Sequence, residues 1–153
     1  MLLINWLPKM PKKLILLLNS NLDGDSTQTF INKVKNKCPT LAIIKTTKGI
    51  KFGGYTTQMW NEGEIKDNDA FVFSFDKKSK YKVLQPEHAI GFGNNCWWGF
   101  GSTNNAIVVL DKCTTTNGNW VDDKTFDIKN KYELNGGEKN FIVKSFEIYL
   151  IDY

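Results

Sequence analysis

Arginine is absent. All twenty basic residues of this 153-residue chain are lysines. Arginine makes the planar, two-pronged contacts that read guanine edges and clamp phosphates, so its absence counts against sequence-specific DNA recognition. An AT-rich coding genome gives the same bias, since Asn and Ile are also plentiful. Sixteen acidic residues leave a net charge of only +4, too little to demand a polyanionic partner. Histidine occurs once, as His88. Any Ser–His or Cys–His pair must use it, yet neither Cys96 nor Cys113 lies in a Gly-x-Ser-x-Gly or Cys-Gly-x-Cys setting. Cys38, Cys96 and Cys113 are an odd count without regular spacing. That is no secreted disulfide framework, and it points to reduced thiols in a cytoplasmic or nuclear protein. A Cys₃His zinc site from these residues lacks the close ligand pairs that structural zinc uses. Gly91-Phe92-Gly93-Asn94-Asn95-Cys96 lacks the third glycine of a dinucleotide fingerprint and opens no helix, and no P-loop is present.

Long apolar runs are missing too. Leu2-Leu3-Ile4 and Leu14–Leu18 are parted by Pro8, Lys9, Pro11, Lys12 and Lys13, and neither is long enough for a signal core or a membrane span. A soluble protein without membrane insertion is expected, with no catalytic, cofactor-binding or metal-binding residues. Redox sensing by a thiol stays open. Lys112 beside Cys113 would favour a thiolate, although free cysteines are usually buried and inert.

What is there is enough apolar material for a core, at 41% hydrophobic and 13% aromatic. No repeat or linker divides the chain, so residues 1–153 read as one domain with 1–13 as a short lead-in, a helical turn ended by Pro8 and Pro11. Leu14–Leu18 is ambiguous between helix and strand. Asn19–Asp25 is a polar turn. Asp25 or Ser26 caps a helix over Thr27–Lys37, where Phe30, Ile31 and Val34 share a face and Pro39 ends it.

From Thr40 the period becomes two. Thr40–Tyr55 reads as a β-hairpin turning at Lys48-Gly49. Gly53-Gly54 marks a bulge or a close backbone approach. Asn61–Asp69 is a polar loop, and Ala70–Phe75 is a strand with Phe71, Phe73 and Phe75 on its core face. Tyr81–Leu84 reads as its partner strand. Gly91–Asn105 is a glycine- and asparagine-rich stretch, Ala106–Leu110 a buried strand, Thr114–Asn119 a turn and Phe141–Ile151 a long closing strand. The fold class is α+β, mainly β: a two-layer antiparallel β-sandwich with a few peripheral helices.

The order of these segments resembles the TLDc family. The residues that carry the likeness are Leu7-Pro8, Leu16–Ser20 with Asp23-Gly24-Asp25-Ser26, Phe30, and Cys38-Pro39-Thr40-Leu41. The most specific block follows: Ile43–Thr46, Gly49, Phe52-Gly53-Gly54-Tyr55 and Trp60. Asp69–Phe75, Gly91–Gly101, Ile107–Asp111, Gly118, Thr125-Phe126 and Phe141–Leu150 complete it. Most matched residues have structural roles. Asp23, Gly24 and Ser26 shape a turn and a cap, Gly53 and Gly54 permit close packing, and Trp60, Phe71 and Phe73 fill the interior.

The resemblance implies a non-enzymatic protein-binding domain, a role in oxidative-stress resistance, and contact with subunits of the vacuolar proton pump (V-ATPase). Three residues are candidates for contact. Trp97 and Trp98 are adjacent on a strand and face opposite ways, so one layer cannot bury both. An exposed tryptophan is a favoured protein anchor. Glu147 lies opposite the apolar face of the closing strand. The alternative is a nucleic-acid-associated stress-response factor, binding DNA through lysines such as Lys33, Lys35 and Lys37 and through the tryptophans.

Overall fold

Strand-forming residues at period two dominate from Thr40 onward, and the backbone follows them. The computed structural model describes residues 2–153. The helices are α1 (Leu2–Trp6), α2 (Ser20–Asp23) and α3 (Thr27–Val34). The strands are β1 (Lys13–Asn19), β2 (Thr40–Thr46), β3 (Lys51–Thr56), β4 (Gly63–Ile65), β5 (Phe71–Ser74) and β6 (Ser79–Lys82). They continue as β7 (Ile90–Gly93), β8 (Trp97–Phe100), β9 (Ile107–Leu110), β10 (Asn119–Val121), β11 (Asn140–Phe141) and β12 (Val143–Asp152). One six-stranded sheet runs β1-β12-β2-β3-β5-β6 and the other β11-β10-β9-β8-β7-β4. Neighbouring strands are antiparallel in both. This is the two-layer sandwich with peripheral helices that the pattern predicts.

The interior is filled from both sheets. Phe52, Val72, Phe146 and Ile148 come from the first, and Trp98, Phe100, Ile107 and Val109 from the second. Phe30 of α3 enters the same cluster and stacks on Trp98 with centroids 4.3 Å apart and planes 4° from parallel. Trp60 meets Phe30, Trp98 and Phe100 edge-on, and its Nε1 donates to Thr40 Oγ1 at 2.9 Å. The indole N–H is thereby paired, as burial requires.

Gly53 and Gly54 are close approaches and not a bulge, since the β2–β3–β5 register runs through them unbroken. A Cβ on Gly53 would lie 1.9 Å from the Ala42 carbonyl oxygen. One on Gly54 would lie 2.5 Å from the Phe100 ring across the sandwich.

The expected core face of Phe71, Phe73 and Phe75 needs correction. These residues do share a face, but it is the outer face of the first sheet. Val72 and not its phenylalanine neighbours points between the sheets. Phe71 and Phe73 are buried instead with Leu41, Tyr55, Ile151, Leu3 of α1 and Leu7 just after it. Trp6 closes this second cluster, 5.5 Å from Phe73 and 6.0 Å from Phe75. Lys80 Nζ donates to the Trp6 carbonyl at 2.8 Å and helps hold α1 down. Alternation says which residues lie together; it does not say on which side another layer will sit.

Other boundaries also differ. Leu14–Leu18 is strand, because β12 supplies a partner from Lys13↔Asp152 to Asn19↔Glu147. The polar turn after it contains α2, and the polar loop before Ala70 contains β4. α3 stops at Val34, short of Lys37, where Asn36 takes a left-handed φ of 61°. Ser26 is its cap, accepting from the Thr29 N–H at 3.0 Å. Asp25 instead receives the Thr114 N–H at 3.1 Å. The closing apolar run is two strands: Phe141 ends β11 in the second sheet, and after Ile142 the chain enters β12 in the first. Buried Asn119 braces that crossing, donating to the carbonyls of Phe141 at 2.9 Å and Cys113 at 3.0 Å.

Candidate interaction surface

Trp97 lies at the start of β8, just after a turn made by Asn94 and Asn95 at φ 49° and 54°. Asparagine tolerates this left-handed region better than most residues. The half-buried Trp97 indole lies across Gly93, where a Cβ would sit 2.7 Å from Nε1. Trp98 is a different case and its assignment as a contact residue is corrected. It is wholly buried against Phe30, Trp60 and Phe146. Alternation therefore aims Trp97 away from the interior, at the outer face of the second sheet.

Glu147 is half-buried between two interior residues, Phe146 and Ile148, so it faces outward from the first sheet. It accepts a hydrogen bond from the Tyr149 hydroxyl. Burial and this bond push the Tyr149 phenol up to about 12. Trp97 and Glu147 thus lie on opposite outer faces of the sandwich and do not form one patch.

The family-motif residues form the frame. Asp23 receives the Asn19 N–H at 3.0 Å and lies 3.8 Å from the Lys33 ammonium. Gly24 ends α2 at φ 94°. Asp67, which pattern reasoning passed over, is buried and accepts from the Thr56 hydroxyl at 2.7 Å and the Thr57 hydroxyl at 2.8 Å. It also accepts from the Asp69 N–H two residues on, a turn contact, while the hydroxyls that bury it lie ten and eleven residues away.

The chemistry-bearing side chains are dispersed. His88 closes a short 3₁₀ turn, and its Nδ1 lies 3.0 Å from Glu64 Oε1. Cys113 is buried, and burial, with Asp25 and Asp111 adding repulsion, pushes its thiol up to about 12. The thiolate that Lys112 would favour is overridden by desolvation. Cys96 is exposed on the β7–β8 turn and its thiol donates to the Gly93 carbonyl at 3.2 Å. Among the described residues, no three His, Cys, Asp or Glu side chains converge as a metal-binding group. A groove of about 580 Å³ lies beside the Ile142 crossing. Lys48 and Glu138 form an ion pair there at 2.8 Å. Asn135 cross-braces its wall, donating to the carbonyls of Glu138 and Asn140. No described helix is long and apolar enough to cross a membrane.

The sequence model of the TLDc domain matches residues 1–152. The chain belongs to the TLDc family. Over 64 residues it is 33% identical to the MTOR-associated protein MEAK7 of Danio rerio and, over a stretch of the same length, 38% identical to that of Gallus gallus. Each match covers 39% of this chain, but only 14% and 13% of those relatives. The segment order picked out in the sequence is therefore that of a TLDc domain, and Gly53, Gly54, Trp60, Phe71 and Phe73 within it serve packing.

Proposed function

We propose that this TLDc domain is a non-enzymatic protein-binding module. The observation that carries the reading is the dispersal of reactive groups. His88 is held by Glu64, Cys113 is buried with a raised pKa, and Cys96 stands alone on a turn. Hydrolytic or transfer chemistry needs a nucleophile, a base and a charge stabiliser in mutual reach. The relatives' name, MTOR-associated protein, supports a role in protein complexes.

The finer proposal is that the partner includes subunits of the vacuolar proton pump, and that the contact contributes to resistance against oxidative damage. It rests on family membership. The domain would act as a rigid body presenting loops such as Gly93–Trp97. It biases pump assembly only by the difference in its affinity for assembled and separated states. The nucleic-acid reading is weaker, because Trp98 is buried and Lys33 lies beside Asp23.

Affinity purification of the tagged protein from resting and peroxide-treated cells tests the proposal. Pump subunits are expected in the bound fraction, with recovery changed by peroxide. Consistent recovery of a different complex without pump subunits removes the pump proposal. A turnover assay that loses its signal in His88→Ala would remove the non-enzymatic one.

A further inference from the structure

Each sheet has two edges, and three of the four are blunted. β11 has two residues and β4 has three. β6 has four and carries exposed Lys80 and Lys82. Short strands and lysines are the usual guards against unwanted pairing. β1 is the least guarded, with one exposed lysine, Lys13, at its start and a register irregularity between Leu16 and Leu18. It is seven residues long, Lys-Leu-Ile-Leu-Leu-Leu-Asn, and pairs on one side only, with β12. Leu18 at its far end is buried beneath α3, but Ile15 and Leu16 are 36% and 46% exposed.

The exposed apolar residues gather around this edge. Among the described residues seven large hydrophobic side chains are exposed, and Met10, Ile15, Leu16 and Leu22 fall within thirteen consecutive residues. Met10 and Leu22 are the most open, at 72% and 80%. The stretch is also symmetric in chemical type about Leu16. Lys9 and Met10 precede the strand, and Leu22 and Asp23 follow it. An antiparallel copy of the strand would set the Lys9, Lys12 and Lys13 end of one chain beside the Leu22–Asp23 end of the other. Apolar side chains would then meet apolar ones, and the lysine-rich start of each strand would lie near α2 of the other copy, whose Asp23 is shared with Lys33.

We infer that β1 is the pairing edge of a two-fold homodimer, in which β1 meets β1 of a second copy, antiparallel, about an axis near Leu16. The first sheets of the two copies become one continuous twelve-stranded sheet. Main-chain bonds along the strand supply register, and Met10, Leu16 and Leu22 supply apolar contact on both sides of the axis. The inference stands apart from the pump proposal, since it concerns only the chain and its copy.

Sedimentation velocity on the purified chain, from about 1 to about 200 µM, tests it. A monomer–dimer equilibrium is expected within that range. Leu16→Lys should weaken it by at least about tenfold, as a charge on an edge strand opposes pairing. Ile15→Lys should do the same, while Leu84→Lys, at an exposed leucine outside this stretch, should not. Circular dichroism on each variant checks that the sandwich is intact. If a variant fails to fold, amide hydrogen exchange on the unaltered chain replaces it, and Lys13–Leu17 should gain protection with concentration. A wild-type chain that stays monomeric throughout overturns the inference. So does a dimer that survives both β1 substitutions.

Discussion

Gly54→Ala tests the contact that sets the spacing between the sheets. The new Cβ would lie 2.5 Å from Cε1 and Cζ of Phe100 and 2.7 Å from Cδ1. Carbon atoms in contact prefer about 3.5–4.0 Å, so three pairs are each short by about 1 Å. Both groups lie deep in the interior, where packing leaves little room to yield. Overpacking of this kind typically costs about 1–3 kcal/mol, and three simultaneous clashes place this site near the upper figure. Phe100→Leu alone should cost about 1–2 kcal/mol, part of the roughly 3–5 kcal/mol of a full Phe→Ala truncation. In the double variant the smaller side chain makes room for the methyl group. Its loss should be about 2 kcal/mol, some 2 kcal/mol less than the sum of the single losses, a coupling within the range of touching residues. Urea unfolding followed by tryptophan fluorescence measures all three. Gly53→Ala is the control: its clash, at 1.9 Å, is with the backbone oxygen of Ala42, so Phe100→Leu should not rescue it. Strict additivity of Gly54→Ala and Phe100→Leu would refute the assigned contact.

The other expectations are simpler. Trp98→Ala should cost about 3–5 kcal/mol and Trp97→Ala under about 1 kcal/mol, since only the former leaves a cavity; denaturant midpoints compare them. Cys96 should react rapidly with a thiol reagent at pH 8, whereas Cys113, buried and raised to about 12, should react only on unfolding; mass mapping of labelled peptides distinguishes them. Stability should fall as pH rises from about 10 towards 12. An unfolded tyrosine releases its proton near pH 10, while folded Tyr149 holds it up to about 12, so the native state binds more protons and the slope is negative. Tyr149→Phe should make that decline shallower in thermal scans across the window. Asn119→Ala should cost about 3 kcal/mol, because it strips buried Phe141 and Cys113 carbonyls of a donor.

Much of the sandwich is legible because side-chain period and turn residues are local. Thr40–Tyr55 announces its hairpin through Lys48-Gly49 and its flanking apolar residues. Gly53-Gly54 announces a tight place. What decides the rest is long-range. The phenylalanines of β5 look like the centre of the molecule until α1, almost seventy residues earlier, is seen to cover them. Trp97 and Trp98 must face apart, but only the seat of α3 makes Trp98 the buried one. Phe141–Ile151 reads as one strand-forming run, and Phe141, Ile142 and Val143, where the sheet changes, are apolar alike. The candidate contacts suffer most, because Trp97 and Glu147 are near-neighbours in no pattern and end on opposite faces. Asp67 and Asn119 each have a local turn contact, to Asp69 and Thr116, but the partners that bury them are brought in by the fold.

The crossing at Ile142 has a bearing on how the chain is made. β12 lies between β1 and β2, although β1 is near one end of the sequence and β12 near the other. During synthesis β1 emerges early and stays without a neighbour until Val143–Asp152 follows. Its leucines are then bare to every other chain in reach, and the first sheet is completed only when β12 enters between β1 and β2. A ribosome-stalled chain ending before Ile142 should bind a hydrophobic-sensing chaperone that the completed molecule ignores.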